Sequence, residues 1–205
     1  MSSQKSTAAV EPKRQRGRLR VAAIIDAAAA VFAEKGYDAA TMTEIAARAD
    51  TAIGSLYRFF PTKEVLADAL LARYVELLMA GLDAIEAAAA RLSRPALADA
   101  FVDLMLGLQA NRAAAVALVD TRSDAADKTS LLRAATRRRI AAILASATGA
   151  RPTAKAEATA VLLLHLLKFL PMLDREEPAD REGLVAELRG LVRLYVSAAA
   201  GPGAD

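Results

Sequence analysis

Apolar residues recur at helical spacing along most of the chain, and no segment has a convincing strand pattern. In the first helix, for example, Val21, Ile24, Ile25, Val31 and Phe32 share one face. The pattern predicts nine helices, at about residues 18–35, 42–49, 52–60, 63–91, 95–109, 112–120, 130–147, 153–173 and 181–199. The expected fold class is therefore all-α, with a three-helix head and a six-helix body.

Residues at the helix ends support these boundaries. Gly36 follows the first helix and suits a left-handed C-cap position. Thr41 and Glu44 have the spacing of a capping box, in which a hydroxyl and a carboxylate satisfy each other's backbone N–H groups. Ser93 and Pro95 mark the start of helix five, with serine as the cap and proline in the first turn.

The segment 41–63 predicts two short helices separated by a tight turn at Asp50 and Thr51. In the second helix Ile53, Leu56 and Phe60 share the inward face, which leaves other side chains facing outward: Gly54, Ser55, Arg58 and Phe59. Two short helices at a steep angle are a common way to place the second helix in a DNA major groove. The segment therefore predicts a helix-turn-helix.

Charge and length divide the chain into three parts. The first 20 residues hold six Lys/Arg and one Glu, a net +5, whereas the remaining 185 hold 21 Lys/Arg and 23 Asp/Glu, a net −2. We expect a disordered basic arm (1–17), a helix-turn-helix DNA-binding domain (18–62) and a helical body (63–205). The arm is a candidate polyanion contact, and a solubilising tail is the alternative.

Composition excludes several kinds of site. Cysteine is absent, which excludes disulfides and thiolate metal sites, and there is a single histidine. The apolar run after Arg20 is interrupted by Asp26, and the run 158–173 is too short for a membrane span. We expect a cytoplasmic protein with no cofactor or metal. An enzyme would need a catalytic constellation that this chain lacks, so none is predicted. A helical adaptor anchored by its basic arm is the other alternative.

The head resembles the tetracycline-repressor (TetR) type of transcriptional regulator over about residues 20–66. The resemblance is carried by Gly36-Tyr37, Thr41, Ile45-Ala46, Ala49 and the run 53–64, Ile-Gly-Ser-Leu-Tyr-Arg-Phe-Phe-Pro-Thr-Lys-Glu. It implies a homodimer that binds a palindromic DNA operator with two recognition helices. It further implies a regulator, more often a repressor than an activator. The body (63–205) would then be a ligand-binding and dimerisation domain, in which a small molecule binds and releases the protein from DNA.

The resemblance also implies roles for particular residues. Thr41 and Tyr57 would contact phosphates, and Lys63 would contact the DNA backbone from the start of helix four. Gly54 would allow close approach to DNA, and three side chains would face the groove: Ser55, Arg58 and Phe59.

The head departs from the TetR pattern around the turn. Asp50 stands where glycine is usual, but aspartate tolerates left-handed backbone. Ala52 stands where a serine usually caps helix three, so Thr51 is expected to take over that cap. Ile53 is expected in the core rather than on a base. Arg48 is assigned equally to a phosphate contact and to solvent.

The predicted body sites are less specific. Helix eight is nearly apolar on every side between residues 161 and 170, so we expect a second copy to cover it and helix nine through a two-fold four-helix bundle. The predicted interface residues are Leu163, Leu167, Leu184, Leu188, Leu191 and Tyr195. The predicted contacts to a small apolar effector are Phe101, Met105, Leu108, Arg112 and His165, with Asn111 and Asp120 as further candidates. The alternative for both sets is an ordinary monomer core, and Arg137–Arg139 is expected to be a solvated face.

Overall fold

The structure is a computed structural model that describes residues 11–121, 125–147, 153–167, 170 and 178–199. These residues form nine α-helices, as predicted. The helices are α1 (Glu11–Ala39), α2 (Met42–Arg48), α3 (Ile53–Phe59), α4 (Lys63–Ala89), α5 (Arg94–Gly107), α6 (Gln109–Thr121), α7 (Ala125–Ser146), α8 (Ala154–Leu167) and α9 (Pro178–Ala199).

Helix α1 begins earlier than expected. Residues 11–17, which we assigned to a disordered arm, are helical, and α1 starts at Glu11. Lysine, arginine and glutamine are good helix formers, and Pro12 is compatible with a first turn. Charge alone was therefore a poor guide to disorder here. At the other end Gly36 has φ 78° and ψ 168°, a positive φ as predicted, which kinks the chain before residues 37–39.

The core of the head is built from residues of α1, α2 and α3 together with the first turns of α4. Ile24 and Phe32 of α1, Ile45 of α2, and Leu56 of α3 are completely buried in it. Leu66 and Leu70 of α4 complete the set, joined by two residues of α6: Ala114 and Leu118. The apolar packing of the head thus continues past residue 62 into the first turns of α4.

A second core fills the body between α4, α5, α7, α8 and α9. Phe101, Val102 and Leu163 are among its completely buried side chains. Helix α4 runs through Gly81 as one helix, and a Cβ at Gly81 would lie 2.1 Å from Cδ1 of Leu104. Close packing of α4 against α5 therefore accounts for this glycine. Because α4 lines both cores, it connects head and body directly.

Three body helices begin several residues earlier than predicted. Helix α6 begins at Gln109, α7 at Ala125 and α9 at Pro178, each earlier than expected. Helix α8 ends at Leu167, and residues 168–169 and 171–173 of its predicted span lie outside the described residues.

Charged side chains tie α9 to α5. The guanidinium of Arg193 donates to both carboxylate oxygens of Asp99, each at 2.8 Å. Arg189 pairs with Asp103 and lies 3.7 Å from Asp99. The hydrogen bond from Arg193 lowers the pKa of Asp99. Within the described ranges, none of the helices is long and apolar enough to cross a membrane.

Candidate nucleic-acid interface

Helix α2 starts with the predicted capping box. The Glu44 N–H donates to Thr41 Oγ1 at 3.2 Å, and the Thr41 N–H donates to Glu44 Oε2 at 3.1 Å. The Thr41 hydroxyl also donates to Glu44 Oε2, at 2.9 Å. Hydrogen bonds from Lys35 and from Thr41 lower the pKa of Glu44 to about 2. A phosphate at this helix end would therefore meet a carboxylate that already occupies the Thr41 hydroxyl.

The turn between α2 and α3 forms with aspartate in place of glycine. Asp50 has φ 46°, which is the left-handed conformation we expected it to tolerate. The expectation that Thr51 caps α3 is wrong: Ala52 is the N-cap residue and provides no side-chain hydrogen bond. The chain enters the helix through two backbone bonds, from Ser55 N–H and Leu56 N–H to the carbonyl of Ala52.

Helix α3 is anchored by two apolar side chains and exposes the opposite side. Leu56 and Phe60 are buried in the head core, as predicted, whereas Ile53 is 39% exposed and is not the core residue that we expected. Ile53 is the first residue of α3 and lies next to the turn, where the core no longer covers the helix. The exposed side carries Gly54, Tyr57 and Arg58, which we call the α3 face.

Two predicted groove residues are less available than their spacing suggested. Phe59 is partly buried and packs against the head core, and its ring centre lies 5.0 Å from the Arg58 guanidinium carbon. The Ser55 Oγ is buried and has no hydrogen-bond partner among the described residues. Arg58 is therefore the long polar side chain of α3 best placed to reach a base edge.

Lys63 lies where we predicted, at the start of α4, but its side chain turns toward the protein. Its Nζ donates to the backbone carbonyls of Tyr37, Asp38 and Ala40 at 2.8, 3.2 and 3.1 Å. An ammonium has three N–H donors, so these bonds use all of them. The prediction of a DNA-backbone contact does not fit this conformation.

Other polar side chains in the head are also paired with each other. Arg48 Nη1 donates to Glu34 Oε2 at 2.6 Å, so Arg48 bridges α2 to α1 rather than facing solvent alone. Tyr37 Oη donates to Glu64 Oε1 at 3.2 Å. Sequence spacing did not reveal these pairs, because their members lie 14 and 27 positions apart.

The predicted effector residues divide between the core and the surface. Phe101, Met105 and Leu108 are buried side by side in the body core. Arg112, on α6, is partly buried, and its Nη1 donates to the Leu167 carbonyl at 2.7 Å. Burial lowers the pKa of Arg112. His165 is exposed on α8 and does not join this group. Asn111 is half-buried on α6, and the side chain of Asp120 lies outside the described residues.

The predicted interface residues divide in the same way. Leu163, Leu167 and Leu188 are buried inside the body, so their assignment to a dimer contact is wrong. They face neighbouring helices of the same chain because α8 and α9 complete the body core. Tyr195 is half-buried. Several leucines of α8 and α9 do lie at the surface, and we call them the leucine surface: Leu162, Leu184, Leu191 and Leu194.

The arginine run on α7 is mostly a solvated face, as predicted. Arg137 and Arg138 are exposed. Arg139 is half-buried and pairs with Asp83 and with Glu86 of α4, the latter at 2.7 Å. It therefore contributes to packing between α4 and α7.

Comparison with known proteins identifies the head. Residues 24–70 match the model of bacterial regulatory proteins of the tetR family. Over 53 residues the chain is 47% identical to the HTH-type transcriptional repressor KstR of Rhodococcus jostii (strain RHA1). The head is therefore similar to the corresponding part of TetR-family regulators. This match covers 26% of the chain and 25% of KstR, so the chain spans about a quarter of the length of the curated relatives that it matches.

Solved structures extend the likeness to the body. A TetR-family transcriptional regulator from Streptomyces coelicolor is 25% identical, with a TM-score of 0.54 over 88% of this chain and 99% of that chain. A transcriptional regulator from Aquifex aeolicus VF5 is 19% identical, with a TM-score of 0.64 over 87% and 98%. The all-α fold class is confirmed. TetR-family proteins are regulators rather than enzymes, which confirms that expectation too.

Proposed function

We propose that the protein is a homodimeric transcriptional repressor that binds a palindromic DNA operator and is released by a small molecule. The observation that supports this most directly is the α3 face. Leu56 and Phe60 fix α3 to the core, and Tyr57 and Arg58 extend from its other side. The name of the relative KstR, a transcriptional repressor, favours repression over activation. The protein would act in the cytoplasm.

In this proposal Arg58 reads a base and Tyr57 donates its hydroxyl to a phosphate. Arginine can donate two hydrogen bonds to O6 and N7 of guanine in the major groove. Gly54 carries no side chain to hold the helix away from DNA. Thr41 contributes through the start of α2, where the first-turn N–H groups of Met42 and Thr43 remain as donors besides the capping box.

The second element of the proposal is a dimer formed through the leucine surface. Leu184, Leu191 and Leu194 lie on one side of α9, and Leu162 lies on the adjacent helix α8. Leu162, Leu191 and Leu194 are 50%, 55% and 71% exposed in the single chain. Exposed apolar residues that cluster on adjacent helices typically mark a protein contact. A second copy would supply the same surface, as a two-fold contact requires.

The third element is an effector site beside α6. Phe101, Met105 and Leu108 offer apolar contacts to a small, mainly apolar molecule, and Arg112 is the nearby polar group that would orient it. Helix α6 carries Arg112 at one end and places Ala114 and Leu118 in the head core. An effector that moved α6 would therefore act on the head directly, as well as through α4.

Selection of binding sites from random DNA tests the proposal. We expect a palindromic consensus that the protein binds at least about 10³-fold more tightly than scrambled DNA at physiological salt. Weak binding without a consensus, falling steeply with salt, would contradict the proposal and favour an adaptor with a basic anchor.

Thermal shift with a compound library tests the effector site. A compound that raises the melting temperature of the wild type should also weaken its binding to the selected operator. Arg112→Ala should retain operator affinity and respond less to the same compound. If every stabilising compound left operator binding unchanged, release by an effector would be contradicted.

A further inference from the structure

The Lys63 side chain connects two segments that are distant in sequence. Lys63 is the first residue of α4, and its Nζ bonds to three carbonyls of residues 37–40, just after the kink at Gly36. The Nζ also lies 4.6 Å from the centre of the Tyr37 ring, within range of a cation–π contact. The ammonium is therefore held from several directions by one short segment.

Helix preference does not explain a lysine at this position. The N-terminal end of a helix carries partial positive charge, which disfavours a cation in the first turn. The last carbonyls of a helix, in contrast, have no partners within that helix and accept bonds from cations. The carbonyls at the end of α1 therefore interact favourably with the Lys63 ammonium, whereas the N-terminal end of α4 does not.

Another hydrogen bond joins the same segments, with its donor on the α1 side and its acceptor on α4. Tyr37 belongs to the α1 side, and its hydroxyl donates to Glu64, the second residue of α4. The Tyr37 ring packs 5.5 Å from the ring of Phe32, which is completely buried in the head core. Leu66 of α4 is buried in the same core. Polar and apolar contacts together fasten the first turn of α4 to the head.

We propose that Lys63 is a positioning residue that sets the orientation of α2 and α3 relative to α4, and that it is not a phosphate contact. Residues 37–40 lead directly into α2, so fixing them fixes the start of the helix-turn-helix. A movement of α4 would then move α2 and the α3 face with it, because the segment 37–40 is held to the first turn of α4. The inference rests on the proposed binding of an operator.

The test compares the wild type with Lys63→Met, Lys63→Arg and Arg73→Met. Arg73→Met is the matched control, because it removes one positive charge from an exposed position of α4 outside the head contact. Operator affinity is measured over a series of salt concentrations, at a temperature where each variant is folded by circular dichroism. Amide hydrogen exchange of residues 37–45 is measured on the same proteins without DNA.

We expect Lys63→Met to lower operator affinity by about tenfold or more, with the same salt slope as the wild type and faster exchange at residues 37–45. Lys63→Arg should not restore affinity, because a planar guanidinium cannot direct its donors at three converging carbonyls. Arg73→Met should match the wild type in affinity and exchange.

Three results would overturn the inference. One is a salt slope for Lys63→Met that is shallower by about 0.9, with affinity restored by Lys63→Arg, since that is the behaviour of a phosphate contact. Another is wild-type operator affinity in Lys63→Met. The third is wild-type exchange at residues 37–45. If the wild type itself selects no operator, the proposed function fails, and hydrogen exchange alone decides whether Lys63 holds the two segments together.

Discussion

Two surfaces of the single chain are exposed but differ in chemistry. The α3 face presents a glycine, a tyrosine hydroxyl and an arginine, whereas the leucine surface of α8 and α9 presents aliphatic side chains. A guanidinium and a hydroxyl can donate to phosphates and base edges. Exposed leucines stabilise a complex only when another apolar surface covers them and removes them from water. The difference favours the two kinds of partner that we propose, DNA for α3 and a second copy for α8 and α9.

The support beneath each surface also differs. Helix α3 is seven residues long and depends on Leu56 and Phe60 to hold it in place. Helix α9 has 22 residues and is tied to α5 by the Asp99–Arg193 and Asp103–Arg189 pairs besides its apolar contacts. We therefore expect that a smaller loss of packing free energy will displace α3 than will displace α9.

The largest expected effect comes from removing a buried leucine under either surface. Leu56→Ala and Leu163→Ala should each cost about 2–5 kcal/mol of unfolding free energy, because both side chains are completely buried. Urea denaturation measures this cost. Leu131→Ala, at a 73% exposed position of α7, is the control and should cost almost nothing.

The two core variants should differ in what they lose first. At temperatures where both are folded, Leu56→Ala should bind operator poorly and remain dimeric. Leu163→Ala should instead weaken the dimer, and it should lose operator affinity only to the extent that dimers are lost. Equal loss of both properties in both variants would mean that head and body unfold as one unit.

A charge in the leucine surface should separate the two copies. Leu191→Glu would place a carboxylate in an apolar contact, so we expect monomers by light scattering and operator affinity lower by about 10²-fold, since two linked heads bind more tightly than one. Leu131→Glu is the matched control and should remain dimeric. A monomeric wild type would refute the proposed dimer, and a dimeric Leu191→Glu would move the contact elsewhere.

Loss of the Arg58 side chain should weaken operator binding and reduce the sequence preference at one base pair. Arg58→Ala should cost about 1–3 kcal/mol of operator binding and relax preference at that position, while the protein remains dimeric and folded. Binding to all single-base variants of the operator measures this. A loss of equal size on random DNA would show instead that Arg58 contacts only phosphate.

The smallest expected effect concerns the pair that ties α9 to α5. Asp99 and Arg193 are partly exposed, so Asp99→Asn should cost only about 0.5–1 kcal/mol at neutral pH. Because the folded-state pKa of Asp99 is lowered, its contribution is present above the unfolded pKa and is lost as the pH falls through the folded pKa.

Unfolding curves of wild type and Asp99→Asn from pH 7 to pH 2 should therefore converge at the acid end. Glu76→Gln, on the exposed side of α4, is the control. A difference that stays constant with pH would show that the Asp99 carboxylate does not stabilise the fold.

Local features of the fold could be predicted from the sequence because they depend on near neighbours. The Thr41–Glu44 capping box and the positive φ of Asp50 each involve residues at most three positions apart. The inward face of α3 was predicted in part, since Leu56 and Phe60 are buried but Ile53 is exposed where the helix meets the turn.

Contacts between distant segments could not be predicted in the same way. Lys63 reaches carbonyls 23 to 26 positions earlier, and spacing along one helix contains no information about them. The second half of α8 is nearly apolar on every side, so periodicity could not show that Leu163 is buried and that Leu162 and His165 are exposed. Which side of such a helix faces inward depends on how its neighbours pack.

The central claim is that two α3 faces, joined by the leucine surface, bind one palindromic operator together. The most direct test is affinity and complex mass on the selected operator, compared with a duplex of equal length that holds a single half-site. We predict one dimer per operator and binding to the half-site duplex weaker by about 10²-fold or more. Independent monomers that bind each half-site with equal affinity would contradict the account.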